Sequence, residues 1–123
     1  MSENPPDVVV LDRRIDAAVL RQLVERFEDM VKYVVDVERG VIAIGGEMHS
    51  DVEQVLLESG SRQADLWGAN YYPGRGRDSC IEFTSFINIR PSVGNRGMEV
   101  QDEALRARVR EITRALVGEG EPL

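Results

Sequence analysis

The chain has 123 residues and a single cysteine, Cys80, so its fold must rest on its own core without an intrachain disulfide. Apolar residues make up 42% and charged residues 30%, a globular balance that excludes a disordered or collagen-like chain. The formal net charge of −7 repels a phosphate backbone at long range and argues against nucleic acid as a partner.

Val8 to Leu11 is a short apolar run that predicts a strand. A helix follows. Asp16 is its N-cap, and Ile15, Val19, Leu23 and Phe27 repeat at four-residue spacing as its apolar stripe. From Val31 the period changes to two. Val31, Tyr33, Val35 and Val37 alternate with Lys32, Val34, Asp36 and Glu38, then Glu38-Arg39-Gly40 turns the chain into Val41–Ile44. Ser50 and Glu53 have the spacing of a capping box, which predicts a helix running to Ser59 and ended by Gly60. Ser61 is positioned to cap one further helical turn through Asp65. Leu66 to Tyr72 reads as a strand and Pro73 to Asp78 as a flexible polar loop. Cys80 to Arg90 reads as the longest strand, stopped by Pro91. After an irregular stretch, Asp102 caps a last helix with Leu105, Val109, Ile112 and Leu116 inward.

The order β-α-β-β-α-β-β-α predicts an α+β fold: an antiparallel sheet of four to five strands with three helices packed mainly on one face. One domain spans 1–123, with an ordered core of about 7–117 and flexible ends, Met1–Pro6 and Gly118–Leu123. No apolar run approaches the ~20 residues of a membrane helix. No basic start followed by an apolar segment marks a leader, so the expected compartment is the cytoplasm.

His49, the only histidine, lies among Glu47, Asp51 and Glu53 at a strand-to-helix turn, which makes Glu47 and His49 the candidates for proton transfer. One histidine with scattered carboxylates lacks metal-ligand spacing, and no cofactor fingerprint is present. Asn88 and Arg90, two residues apart on the expected long strand, lie side by side, and the following loop adds Ser92, Asn95 and Arg96. Two guanidiniums with amide donors suit a small anion, and residues 63–123 carry 9 acids against 8 bases, less hostile to an anion than 1–62 with 13 against 7. Lys32, Asp36, Asn70, Tyr72 and Phe86 would line an open side of the sheet and form an interface, for a protein partner or a homodimer. Arg106, Arg108, Arg110 and Arg114 of the last helix alternate with acids and lack interleaved aromatics, a weak nucleic-acid face.

The combination of Met30-Val31-Lys32 and Val34–Glu38, Ile44-Gly45-Gly46-Glu47 with His49, Gly60-Ser61 with Gln63, Asp65–Gly68 with Asn70, and Ile87–Ser92 with Gly94-Asn95-Arg96 resembles a family of small uncharacterised bacterial and archaeal proteins known as a domain of unknown function. The resemblance covers about Ile15 to Leu116 and implies a free-standing domain without assigning an activity. The expected role is a small non-enzymatic binding or regulatory module acting through a protein interface or as a homo-oligomer. The alternative is a small-anion binder or enzyme centred on Asn88, Arg90, Asn95 and Arg96, with Glu47 and His49.

Overall fold

The structure, a computed structural model, describes residues 7–123, so the expected fraying of Met1–Pro6 lies outside the described residues. The elements are β1 (Val8–Leu11), α1 (Ala17–Arg26), β2 (Val31–Asp36), β3 (Val41–Gly45), α2 (His49–Glu58), β4 (Leu66–Tyr71), β5 (Ile81–Glu82) and α3 (Glu103–Leu116). Single 3-10 turns occupy Gln63–Asp65, Phe86–Asn88 and Pro91–Val93. The strands form one sheet in the order β1-β3-β2-β4-β5, with every pairing antiparallel. This is the expected α+β architecture with the expected element order.

Period-two alternation sorts the residues of the central strands onto two faces. Tyr33, Val35, Ile42, Ile44, Trp67 and Tyr71 pack with Leu20 and Leu23 of α1 and Val109, Ile112 and Leu116 of α3. Each such fully buried side chain stabilises the fold by roughly 1.5–3 kcal/mol relative to exposure. The Tyr33 hydroxyl, sealed in this layer, meets Thr113 Oγ1 at 2.8 Å, and burial raises the phenol's pKa. Both helices start where local chemistry dictates. Asp16 accepts from the amide of Ala18 at 2.8 Å, and Asp102 accepts from that of Leu105 at 3.0 Å.

The opposite face is not open. Val34, Ala43 and Leu66 point into a second apolar cluster with Val52, Val55 and Leu56 of α2. Two helices therefore cover one face and the third covers the other. Asp36 and Asn70, expected on an exposed side, are buried beneath α2 and the segment after β5. The expected capping box also fails to form. The helix begins at His49 with Met48 in the cap position and no side-chain cap bond, so Ser50 falls inside the first turn and Glu53 turns inward.

The largest departure is in the 80–90 region. Only Ile81–Glu82 pair as a strand, followed by two isolated bridges, Thr84 with Glu99 and Arg90 with Asn95. Ser85 then caps a 3-10 turn, its hydroxyl accepting from the amide of Ile87 at 3.2 Å. Asn88 and Arg90 are consequently not neighbours on a strand face. Ser61 does not cap a helical turn. Its hydroxyl donates to the Asp36 carboxylate at 2.6 Å, which also accepts from the amides of Glu38 and Arg39 and so builds the β2–β3 turn. The C-terminal tail, expected to fray, is tied down: the Gly120 amide donates to Tyr71 Oη at 2.8 Å, and the Gly120 carbonyl accepts from the amides of Gly74 and Gly76.

Candidate functional site

The β4 strand meets β5 only at Asn70 and Tyr71, which leaves the edge from Leu66 to Gly68 without a strand partner. Side chains from the 86–101 segment supply the missing bonds. The Asn88 carboxamide lies against Gly68 as a neighbouring strand would. Its Oδ1 accepts from the Gly68 amide at 2.8 Å, and its Nδ2 donates to the Gly68 carbonyl at 3.0 Å and to that of Met98 at 3.0 Å. Gly68 has no room for a β-carbon, which would meet Ser85 Cβ at 2.6 Å, so glycine here lets the segment lie flat on the sheet. Asn95 performs the same task one layer out. Its Nδ2 donates to the carbonyls of Asn88, Gly97 and Glu99, and its Oδ1 accepts from the Gln101 amide. Both asparagines are buried, and their polar atoms are engaged by the backbone.

Arg90 takes the next place along the edge, its guanidinium donating to the Leu66 carbonyl and stacking 4.4 Å from the centroid of the Trp67 ring. Its ion-pair partner is Glu53 of α2, at 3.7 Å, with 14% of the arginine and 12% of the glutamate side chain exposed. The pair is imperfect: Arg90 Nη1 and Glu53 Oε2 are buried and make no hydrogen bond. Burial raises the Glu53 pKa and lowers that of Arg90, and each charge partly opposes the other's shift. Above the pair opens a cavity of about 500 Å³ between α2 and the 86–93 segment. Phe86 (76% exposed), Ile89 (42%) and Val93 (65%) stand at its rim, and Ser92 lines it.

A second polar group lies under the start of α2. Lys32, Asn70 and Glu82 are cross-strand partners in one row over β2, β4 and β5. Asn70 Nδ2 donates to Glu82 Oε1 at 2.7 Å, and Tyr72 Oη donates to the same oxygen at 3.4 Å. His49 sits above the row with Nε2 2.8 Å from the Ala69 carbonyl oxygen. A carbonyl can only accept, so in the neutral ring Nε2 carries the proton, and the Asn70 side chain also hydrogen-bonds the imidazole.

The chain matches the family model described as a protein of unknown function, DUF5674, over residues 9–116. The chain belongs to this family. The matched span includes every element that builds both polar groups and ends before the Gly118–Leu123 tail. No curated protein and no solved structure matches the chain. No helix among the described residues is long and apolar enough to cross a membrane.

The family member's geometry redistributes the residues singled out from the sequence. His49 joins Lys32, Asn70 and Glu82, whereas Glu47 is exposed. Arg90 pairs with Glu53 instead of converging with Arg96, which is exposed. Of the expected interface residues, Asp36 and Asn70 are buried, Lys32 and Tyr72 half-buried, and Phe86 exposed. Glu53, Glu82 and Trp67 also contribute, although the sequence pattern assigned Glu53 a helix-capping role and placed none of the three among the candidate site residues. Glu53 was legible in one respect: it lies four residues after His49, on the helical face that also carries Val52 and Leu56.

Burial lowers the His49 pKa, and the nearby Lys32 adds to the shift, while the Ala69 carbonyl opposes it. The fold therefore favours the neutral ring. Below the ordinary histidine pKa of about 6.5 the unfolded chain binds the extra proton first, so stability falls as pH drops from there towards the folded value. His49 is the only histidine, so the effect has one source. Melting temperatures measured across this window should decline more steeply for the natural protein than for His49→Gln. Parallel curves would show that His49 is not held neutral.

Proposed function

We propose that the protein is a small non-enzymatic binding module of the cytoplasm that acts through a protein interface, with a second copy of the chain as the occupant. One observation carries this reading: Phe86, Ile89 and Val93, three large apolar side chains within eight residues, stand exposed around a single cavity. Isolated exposed apolar residues are ordinary, but a cluster with an aromatic at its centre marks a contact surface. Apolar surface is complementary to itself, and a two-fold pairing would set the same three side chains against one another. The Arg90–Glu53 pair and the two buried asparagines hold the backbone beneath the patch, which limits the ordering cost on association. A buried free thiol at Cys80 suits a reducing compartment.

Sedimentation equilibrium over a wide concentration range tests the reading. The natural chain should show a concentration-dependent dimer, and Phe86→Asp should weaken it at least tenfold while leaving the melting temperature nearly unchanged. A single-chain mass at every concentration, the same for both proteins, would sink it.

A second reading, an enzyme or small-anion site, retains one supporting observation. The His49 imidazole sits over Lys32, Asn70 and Glu82, groups able to hold a substrate and exchange a proton.

A further inference from the structure

The α3 arginines separate into two kinds. Arg108 is engaged by Glu111 at 2.7 Å and by the Val37 carbonyl at 3.0 Å. Arg106, Arg110 and Arg114 recur at four-residue spacing and so share one stripe of the helix. Arg106 is answered by Glu99 at 3.7 Å. Among the described residues neither Arg110 nor Arg114 has a carboxylate partner, and Arg114 Nε is buried without a hydrogen bond.

These two unanswered cations face the same place. A cavity of about 340 Å³ lies between α3 and the chain around β5, lined by Arg77, Asp78, Ile81, Phe83, Arg110 and Arg114. Phe83 fixes the arginine side of it, with the guanidinium of Arg106 4.8 Å and that of Arg110 5.5 Å from its ring centroid. Arg77 is largely exposed and, among the described residues, has Glu119 as its carboxylate partner at 3.8 Å. Three arginines thus line one concavity with a single acidic residue, Asp78, on a chain whose net charge is −7. Like charges four residues apart destabilise a helix unless something neutralises them.

We propose that this cavity binds the phosphoryl group of a small phosphorylated ligand. A carboxylate is satisfied by one guanidinium fork, whereas a tetrahedral dianion has oxygens for three. The cavity has Asp78 in its wall and belongs to a chain of net charge −7. It therefore suits one phosphoryl group and not the repeating track of a nucleic acid. The neighbouring Phe83 and Ile81 offer apolar contact for an organic substituent.

Inorganic phosphate is the probe, added at constant ionic strength with chloride as the control. Amide and arginine side-chain NMR should show saturable shifts at Arg77, Ile81, Phe83 and Arg114, with a matching rise in melting temperature. Arg110→Gln/Arg114→Gln should weaken phosphate binding at least tenfold, while Arg21→Gln/Arg62→Gln, altering exposed arginines elsewhere, should leave it unchanged. Should the double variant not fold, Arg110→Lys keeps the charge, loses the fork, and should still bind several-fold more weakly. Absence of a saturable response in the natural protein would overturn the proposal. So would binding that survives in the arginine variants, or shifts that map to Arg90 and Arg96. Tighter binding of single-stranded oligonucleotides, with a salt dependence steeper than one phosphate gives, would replace it with a nucleic-acid surface.

Discussion

Replacement of Asn88 by alanine is expected to lower stability by on the order of 3–5 kcal/mol, a drop of about 12–20 °C in melting temperature for a chain of this size. The carboxamide is fully buried and holds three backbone groups: the Gly68 amide, the Gly68 carbonyl and the Met98 carbonyl. No backbone from a neighbouring strand stands ready to replace it, because the ladder between β4 and β5 stops at Asn70. Each buried group left without a partner costs roughly 1–3 kcal/mol. Asn88→Asp probes the direction of the bonds. It keeps the acceptor for the Gly68 amide but sets carboxylate oxygens against two carbonyls, so it should be at least as damaging at neutral pH and partly relieved in acid. Urea titration of the three proteins reads this out. An alanine variant within about 1 kcal/mol of the natural chain would show that the side chain does not stand in for a strand.

The second large effect is expected at Arg90. Removing one member of a buried ion pair leaves the other charge without compensation, at a cost of about 3–5 kcal/mol. Arg90→Ala also frees the Leu66 carbonyl and strips a cation from the face of Trp67. Burial already raises the Glu53 pKa, and Arg90 is the largest influence opposing that rise. In Arg90→Ala the folded chain should hold the Glu53 proton to higher pH than the unfolded chain does. Stability should therefore be retained below the ordinary carboxylate pKa of about 4.3 and lost as pH rises through the raised folded value. Adding Glu53→Gln should recover a substantial part of the loss at neutral pH and flatten the pH dependence. A double variant as unstable as the sum of the two single changes would mean that the residues are not coupled.

The fate of Glu53 illustrates why part of this site was illegible. Ser50 and Glu53 satisfy the spacing of a capping box, and nothing local forbids one. Glu53 turns inward because Arg90, 37 positions later, arrives beneath α2, and a buried guanidinium requires a carboxylate more than a helix terminus does. The same holds for the 80–90 region. Its alternation of Ile81, Phe83, Ile87 and Ile89 is a genuine strand pattern, yet β5 stops after two residues. Asn88 can reach the β4 edge only if the chain turns at Ser85, and Gly68 leaves the space for that turn. The buried Asp36 and Asn70 were misplaced for a related reason. A polar residue on a strand face looks exposed until the tertiary fold shows an internal hydrogen-bond partner, here Ser61 for Asp36 and Glu82 for Asn70.

What the amino-acid order determined by itself was everything that neighbours within one turn or one hairpin decide. This includes the three helices with their Asp16 and Asp102 caps, the β2–β3 hairpin, the α+β element order and the resemblance to an uncharacterised family. These follow from periodicities and hydrogen bonds between residues a few positions apart. Only the tertiary structure decided which face α2 would cover, that the 86–101 segment would complete the β4 edge with side chains, and that the tail would be tied to Tyr71. Those outcomes depend on polar groups 20 to 49 positions apart meeting in a space from which water is excluded, and no local pattern records such a meeting.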